Sequence, residues 1–113
     1  MPGTIRRFGQ VLGLAPARLD EYKRHHAKIW PEIEAAIRAA GIRNYSIFHR
    51  GGTLFGYYEY HGPAGEYDAR MRVLAAAPRM REWWDLMEAM QIPLPDRRAG
   101  EWWAEMDEVF HQD

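Results

Sequence analysis

The sequence predicts an α+β domain in which helices cover one face of an antiparallel sheet. Three observations lead to this class. Two helix-length segments carry apolar residues at helical spacing, two short segments rich in aromatic and β-branched residues flank a Gly-Gly pair, and prolines stand where helices are expected to begin or break. Since the chain has 113 residues, we expect residues 1–113 to form a single domain.

The first part of the chain is expected to contain one strand and a broken helix. Ile5 to Leu14 is a mixed apolar segment typical of a strand, and Pro16 suits the first turn of a helix. An apolar stripe at helical spacing then runs from Leu19 to Ile37. Pro31 lies inside that stripe and must break the helix, because proline cannot donate a helical hydrogen bond. Gly41 is placed to end the second helical piece.

The remainder is expected to contain a hairpin, a helical region and a closing strand. Gly51-Gly52 between two strand-like segments is a strong signal for a two-residue turn. Pro78 divides the helical region. In chain order, the expected elements are strands at Asn44 to His49 and Thr53 to Tyr60, helices from about Ala64 to Met90, an extended loop at Ile92 to Asp96 and a strand at Glu105 to His111. The resulting order β-α-β-β-α-β is the ferredoxin-like pattern.

Such a sheet has helices on one face and leaves the other face uncovered. Packing two copies of the sheet together would cover both outer faces, so the sequence favours a homodimer. The high aromatic content of 13% provides apolar surface for such a partner.

Composition and charge restrict the classes of function. A formal net charge of −1, with basic and acidic residues intermixed, predicts neither nucleic-acid binding nor attachment to a membrane surface. The absence of cysteine excludes disulfides, thiolate nucleophiles and cysteine-ligated metals. No signal-peptide or membrane-length apolar run is present, so a cytoplasmic protein is expected. Metal-ligand spacings and glycine-rich phosphate loops are also missing, and we expect neither a metal nor a phosphorylated or nucleotide substrate.

His26 is the first candidate for chemistry. It lies near the middle of an apolar helix face, about a 100° arc, whose members are Tyr22, His26, Ile29, Trp30, Ile33 and Ile37. An imidazole can both give and take a proton near neutral pH. The structural alternative is a core histidine that bonds to a backbone carbonyl or a tyrosine hydroxyl. His25 points about 100° away and is expected at the rim.

Aromatic residues elsewhere suggest what this face could bind. The doublets Trp83-Trp84 and Trp102-Trp103 and the residue Tyr45 combine flat apolar faces with hydrogen-bonding edges, which suits a sugar. The structural alternatives are that Tyr45 is an ordinary strand residue and that the tryptophans anchor a dimer interface.

Several of these segments together resemble one known family, the L-rhamnose mutarotases. The matching segments cover nearly the whole chain in order: Glu21-Tyr22, Arg24-His25-His26, Ile29-Trp30-Pro31-Glu32-Ile33, Gly41, Asn44-Tyr45-Ser46-Ile47, Leu54-Phe55-Gly56-Tyr57, Trp83-Trp84 and Glu108-Val109-Phe110. The resemblance implies a ferredoxin-like subunit that forms a dimeric α+β barrel. It also implies an isomerase that interconverts the α and β anomers of a 6-deoxy sugar without a cofactor.

The resemblance also implies roles for individual residues. His26 would be the catalytic proton donor, and the substrate-binding residues would be Tyr22, Tyr45, Trp83 and Trp84. Beyond the resemblance, the expected mechanism has His26 protonate the sugar ring oxygen and Trp30 stack against the sugar together with Trp83 and Trp84.

Two departures from the family pattern affect the expected site. Ala27-Lys28 stands where the family often has Asn-Pro, and the segment from Pro93 to Trp103 is longer and more aromatic, so it could cover the pocket. The sequence leaves L-fucose open as the substrate in place of L-rhamnose. Two other classes also remain open, an oxygenase with a dimeric α+β barrel and a non-catalytic sugar-binding module.

Overall fold

The computed structural model describes residues 4–113. Short 3₁₀ turns at Pro16–Arg18 and Ala64–Glu66 precede the first and third helices. The helices and strands are β1 (Thr4–Leu14), α1 (Leu19–Ala27), α2 (Pro31–Ala39), β2 (Ile42–Arg50), β3 (Thr53–Gly62), α3 (Tyr67–Ala76), α4 (Pro78–Glu88), β4 (Gln91–Ile92) and β5 (Ala104–Met106). The predicted α+β class is confirmed.

In the described residues the strands form one antiparallel sheet in the order β2-β3-β1-β4, with β5 also pairing with β1. β1 pairs with β3 from Thr4 opposite Gly62 to Gly13 opposite Thr53. This strand order is that of the ferredoxin-like pattern, in which the first and third strands lie side by side at the centre.

The helices begin and break at prolines, as the sequence predicts. Pro31 is the first residue of α2 and Pro78 is the first residue of α4. In both cases the preceding residue is extended, with ψ of 133° at Trp30 and 130° at Ala77, because proline excludes the helical conformation from its neighbour. Within residues 4–113 no helix is long and apolar enough to cross a membrane; the cytoplasmic location stays a prediction.

The hairpin between β2 and β3 is confirmed at Gly51-Gly52. The two glycines have φ of 56° and 81°, the positive values that the tightest antiparallel turns require at both central positions. β2 begins at Ile42, two residues before the predicted start at Asn44. The reason is that Ile42 and Arg43 pair with β3 before a bulge that interrupts the ladder between Arg43 and Ser46.

The prediction for the C-terminal strands is partly wrong. The closing strand is Ala104–Met106 and not Glu105 to His111, and Ile92, predicted as loop, belongs to β4. Two short strands share one edge of β1: β4 pairs with Gly13 and Leu14, and β5 pairs with Gly9 to Val11. Each of the two strands extends only as far as it pairs with this edge of β1. The local sequence does not reveal how the edge is divided between them.

The core lies between the helices and the face of the sheet that carries Leu12 and Leu54, which we call the inner face. These two residues are opposite each other on β1 and β3 and are at most 1% exposed. Ile33 of α2 and Met80 of α4 pack against them. The opposite, outer face carries the paired residues Phe48 and Phe55, whose side chains are 66% and 41% exposed.

Candidate active site

A cleft of about 740 Å³ opens where α1 and α4 face the sheet. Its size is within the range of small-molecule sites in proteins. Its lining includes aromatic and imidazole side chains from four separate parts of the chain: Tyr22, His26, Tyr45, Trp83, Trp84, Trp102 and Trp103. Of the residues predicted for the site, five therefore line one cleft.

α1 sets Tyr22 and His26 side by side on that cleft. Residues four apart lie on the same side of a helix, and the two ring centroids are 4.5 Å apart. Tyr22 is 4% exposed, so its ring forms part of the core while its hydroxyl reaches Gln91. The sequence predicted this pair from helical spacing alone.

The hydrogen bonds of His26 define which ring nitrogen is available. Nδ1 lies 2.9 Å from the backbone carbonyl oxygen of Tyr22, and because a carbonyl only accepts, Nδ1 must carry the proton. In the neutral ring Nε2 then has a free lone pair. Burial lowers the pKa of His26 below its ordinary value, which favours this neutral form. His26 thus makes the contact of a core histidine through Nδ1, lines the cleft, and has no hydrogen-bond partner for Nε2 among the described residues.

Trp83 and Trp84 diverge around α4 but both reach the cleft. Trp83 is 5% exposed, and its indole meets the His26 ring edge-on at 5.5 Å. Trp84 is half-buried, with the Arg81 guanidinium 5.5 Å from its ring centroid. The doublet therefore provides one indole in the core beside the histidine and a second at the side of the cleft.

Trp30 lies outside the described lining of the cleft, although the helical stripe places it on the same face as Tyr22 and His26. Its indole packs edge-on against Trp83 at 5.2 Å, and the Arg79 guanidinium lies 4.1 Å from its ring centroid. Trp30 therefore supports Trp83 from behind. Helical spacing suggested a place on the cleft, but the break before Pro31 turns Trp30 out of α1.

Tyr45 reaches the cleft through an irregularity in β2. Asn44 has φ of 53°, and the bulge at this point directs Tyr45 toward Tyr58, with ring centroids 5.5 Å apart. Tyr45 is 41% exposed, but desolvation of its hydroxyl raises its pKa, so the hydroxyl stays protonated and can donate to a ligand. The bulge is held by Glu59, which accepts hydrogen bonds from Asn44 and two other side chains.

Gln91, Trp102 and Trp103 also line the cleft and are not among the predicted site residues. Gln91 of β4 donates from Nε2 to the Tyr22 hydroxyl at 3.0 Å and accepts from the Trp102 indole nitrogen at 2.8 Å. Trp103 lies over Gly56, whose hydrogen leaves room for the indole: a Cβ at that position would be 3.2 Å from the ring. The Trp102-Trp103 doublet was a visible signal, whereas Gln91 had none, because its partner is 69 residues away.

Comparisons with known proteins point to one family. A family model described as L-rhamnose mutarotase matches residues 7–112. A curated L-rhamnose mutarotase from Burkholderia orbicola is 39% identical over 98 residues, covering 87% of this chain and 89% of that protein. A UPF0734 protein from Dictyostelium discoideum is 31% identical over 116 residues, covering 96% and 90%.

A solved structure also shares the fold. The crystal structure of an L-rhamnose mutarotase from Formosa agariphila matches with a TM-score of 0.73 at 24% identity, and the match covers 96% of this chain and 99% of that chain. The predicted resemblance is thus confirmed by a family model, by curated relatives and by a shared fold. The chain belongs to the L-rhamnose mutarotase family, whose members are isomerases that interconvert the α and β anomers of a sugar.

Proposed function

We propose that this protein interconverts the α and β anomers of a 6-deoxy-L-hexose, with L-rhamnose as the first substrate to test, by acid–base opening and closing of the sugar ring. The observation that carries this proposal is His26, which has a free Nε2 in an aromatic cleft that also contains the hydroxyls of Tyr22 and Tyr45. Family membership supports the same substrate class.

The reaction needs proton transfer and no other chemistry. Ring opening removes a proton from the anomeric hydroxyl and delivers one to the ring oxygen, and closure on the other face of the aldehyde reverses both transfers. Neutral His26 can accept through Nε2 in one half of the cycle and donate from the same atom in the other half, where it acts as the predicted proton donor. General acid–base catalysis by one such group typically contributes about 10²- to 10⁴-fold.

The aromatic lining suits the rest of the substrate. The indoles of Trp83 and Trp84 offer apolar faces to sugar C–H groups and to the methyl group of a 6-deoxy sugar. The hydroxyl of Tyr45, which its raised pKa keeps protonated, is a donor for a sugar hydroxyl. The neutral imidazole and tyrosine hydroxyls suit an uncharged substrate, and the charged residues of the lining, Lys23, Glu34, Arg81 and Glu88, are two basic and two acidic.

We further propose that the functional unit is a homodimer in which a second copy covers the outer face. Phe48 and Phe55 form an exposed pair on that face. The chain after β5 adds Val109 and Phe110, 96% and 78% exposed, and an ion pair from Glu108 to Arg7 of β1 ties this segment to the sheet. Clustered exposed apolar side chains on a sheet are typical of an interface.

The test of the activity is exchange NMR of the anomeric protons of L-rhamnose and of L-fucose, with and without protein. Faster exchange with one sugar would establish the activity and identify the preferred substrate. His26→Ala should lose about 100-fold or more of the catalysed rate. The matched control is the neighbouring His25→Ala, because His25 bonds to Glu21 at the rim; it should stay within about threefold of wild type at pH 7.5.

Two outcomes would contradict the proposal. Sugar binding without faster exchange would favour the non-catalytic sugar-binding module. An active His26→Ala variant, with rates close to wild type, would show that another group transfers the proton.

A further inference from the structure

Gln91 connects three separate parts of the chain within the cleft through two side-chain hydrogen bonds. Its Oε1 is 2.8 Å from the indole Nε1 of Trp102, and its Nε2 is 3.0 Å from the Tyr22 hydroxyl oxygen. All three residues line the cleft. β4 places Gln91 opposite Leu14 at the edge of the sheet, so backbone pairing as well as the indole determines where the amide lies.

The direction of these hydrogen bonds follows from the chemistry of Trp102. An indole N–H donates and cannot accept, so the Gln91 atom that faces it must be the carbonyl oxygen. The amide nitrogen then faces the Tyr22 hydroxyl and donates to it. Because a phenol has one proton and a limited set of acceptor positions, a hydroxyl that accepts from Gln91 keeps its own proton available for another acceptor.

We infer that Gln91, held by Trp102, is a positioning residue that makes the Tyr22 hydroxyl a hydrogen-bond donor toward the sugar, so that Tyr22 protonates the ring oxygen while His26 serves the anomeric hydroxyl. This inference rests on the proposed function. It assigns a role to two residues, Gln91 and Trp102, that family resemblance does not single out in this chain.

Ring opening balances with Tyr22 as the proton donor and His26 as the proton acceptor. The bond between C1 and the ring oxygen breaks, its electron pair stays on the ring oxygen, and that oxygen takes the proton of Tyr22. The anomeric hydroxyl gives its proton to Nε2 of His26 and becomes the aldehyde carbonyl. Tyr22 and His26, whose ring centroids are 4.5 Å apart, then carry opposite charges, and closure on the other face returns both protons.

Gln91 counteracts the effect of burial on Tyr22. Burial raises the pKa of Tyr22 above its ordinary value, and the hydrogen bond from Gln91 partly offsets that rise. A donor to the phenolic oxygen stabilises the phenolate that forms when the proton leaves. Gln91 therefore acts on both the direction of the proton and the ease of its release.

Gln91→Glu tests this directly, because it replaces the amide by a carboxylate of the same shape. A carboxylate accepts from both Trp102 and Tyr22, so the Tyr22 proton would turn away from the sugar. We expect kcat for L-rhamnose anomer exchange at pH 7.5 to fall about tenfold or more, with the dissociation constant of L-rhamnose changed by less than about threefold. As the pH is lowered, the ratio of variant to wild-type kcat should rise, because a protonated carboxyl can again donate to Tyr22.

Trp102→Phe is the second variant and removes only the indole N–H and part of the ring. The Gln91 amide can then rotate, so we expect a smaller fall in kcat without recovery at low pH. If Gln91→Glu does not fold, as judged by its thermal unfolding, this second variant decides the question. A purely structural role of Gln91 would lower the unfolding temperature and leave kcat per folded molecule unchanged.

The inference is overturned if the folded variants keep kcat within about twofold of wild type, or if the Gln91→Glu ratio does not depend on pH. Such a result with an active wild type would leave the proposed function intact. Failure of the wild-type protein to accelerate exchange of either L-rhamnose or L-fucose would instead contradict the proposed function itself.

Discussion

The inner and outer sides of the same sheet differ in what shifts the pKa values of their polar groups. On the inner side, the three groups of the proposed site are neutral: desolvation is the chief cause that lowers the pKa of His26 and raises the pKa values of Tyr22 and Tyr45. On the outer side, hydrogen bonds from His61, Asn44 and Tyr57 hold the pKa of Glu59 at about 2.

The comparison indicates how one small sheet can serve two purposes. Neutral groups on the inner side can exchange protons with an uncharged sugar without the large desolvation energy of fixed charges. A fully bonded carboxylate on the outer side instead stabilises the bulge that carries Tyr45. The groups proposed to transfer protons thus lie on one side of the sheet, and the carboxylate that stabilises the bulge lies on the other.

The largest expected effect is the difference in free energy of unfolding between substitutions at two neighbouring residues of β3. Leu54 points to the inner face and is 1% exposed, whereas Phe55 points to the outer face and is 41% exposed. Leu54→Ala should lower the free energy of unfolding by about 2–5 kcal/mol, since it leaves a cavity in the core. Phe55→Ala, measured by urea denaturation at low protein concentration, should change it by less than about 1 kcal/mol. Equal effects would mean that the two faces are not distinct.

The next effect concerns the protonation of His26. Because burial lowers its pKa and the neutral form is the proton acceptor, kcat/KM should fall about tenfold for each pH unit well below that pKa, with a midpoint under the ordinary value of about 6.5. The free energy of unfolding should also rise with pH in this range. Between the folded and unfolded pKa values of His26 the unfolded chain binds more protons than the folded chain, so raising the pH favours the folded chain.

A pH series of anomer exchange measures this midpoint. The His25→Ala variant is the control, because the charge of His25 contributes to the lowered pKa of His26. It should keep the acidic limb and move its midpoint upward. A wild-type midpoint above 6.5 would contradict the environment described for His26.

A smaller effect is expected at Glu59. Glu59→Gln weakens the bonds to Asn44 and His61, so we expect a loss of about 1 kcal/mol in the free energy of unfolding at pH 7 and a few-fold rise in KM through movement of Tyr45. Since the folded pKa is depressed to about 2, this stabilisation is present above the unfolded value near 4.5 and is lost as pH falls toward 2. Urea denaturation of wild type and variant across that range checks it; a constant difference would exclude an ionised Glu59 as the cause.

The smallest effect on the folded chain is expected in the segment after β5. Phe110→Ser should change the free energy of unfolding by less than about 0.5 kcal/mol, because the side chain is 78% exposed. The same change should weaken the proposed dimer, measured as a shift toward monomer in sedimentation velocity over a dilution series. A dimer unaffected by this variant would place the interface away from Phe110.

Much of the candidate site could be predicted from the sequence because the signals were local. Tyr22 and His26 lie one helical turn apart, so their shared face follows from helix geometry, and Trp83-Trp84 is visible as a doublet. The same helical spacing does not place Trp30, because α1 ends at Ala27 and Pro31 begins a new helix. Gln91 could not be found, because a single glutamine near a short strand carries no pattern.

The sequence by itself determined the order of elements, their proline and glycine boundaries and the histidine–tyrosine pair, all of which depend on residues within a few positions of each other. Only the tertiary structure decided how much of the β1 edge each C-terminal strand occupies, that Trp102 and Trp103 line the cleft, and that Gln91 bonds to Tyr22 across 69 residues. The physical reason is range: periodicity and turn geometry are properties of adjacent residues, whereas an edge pairing or a side-chain hydrogen bond between distant segments exists only once the chain has packed.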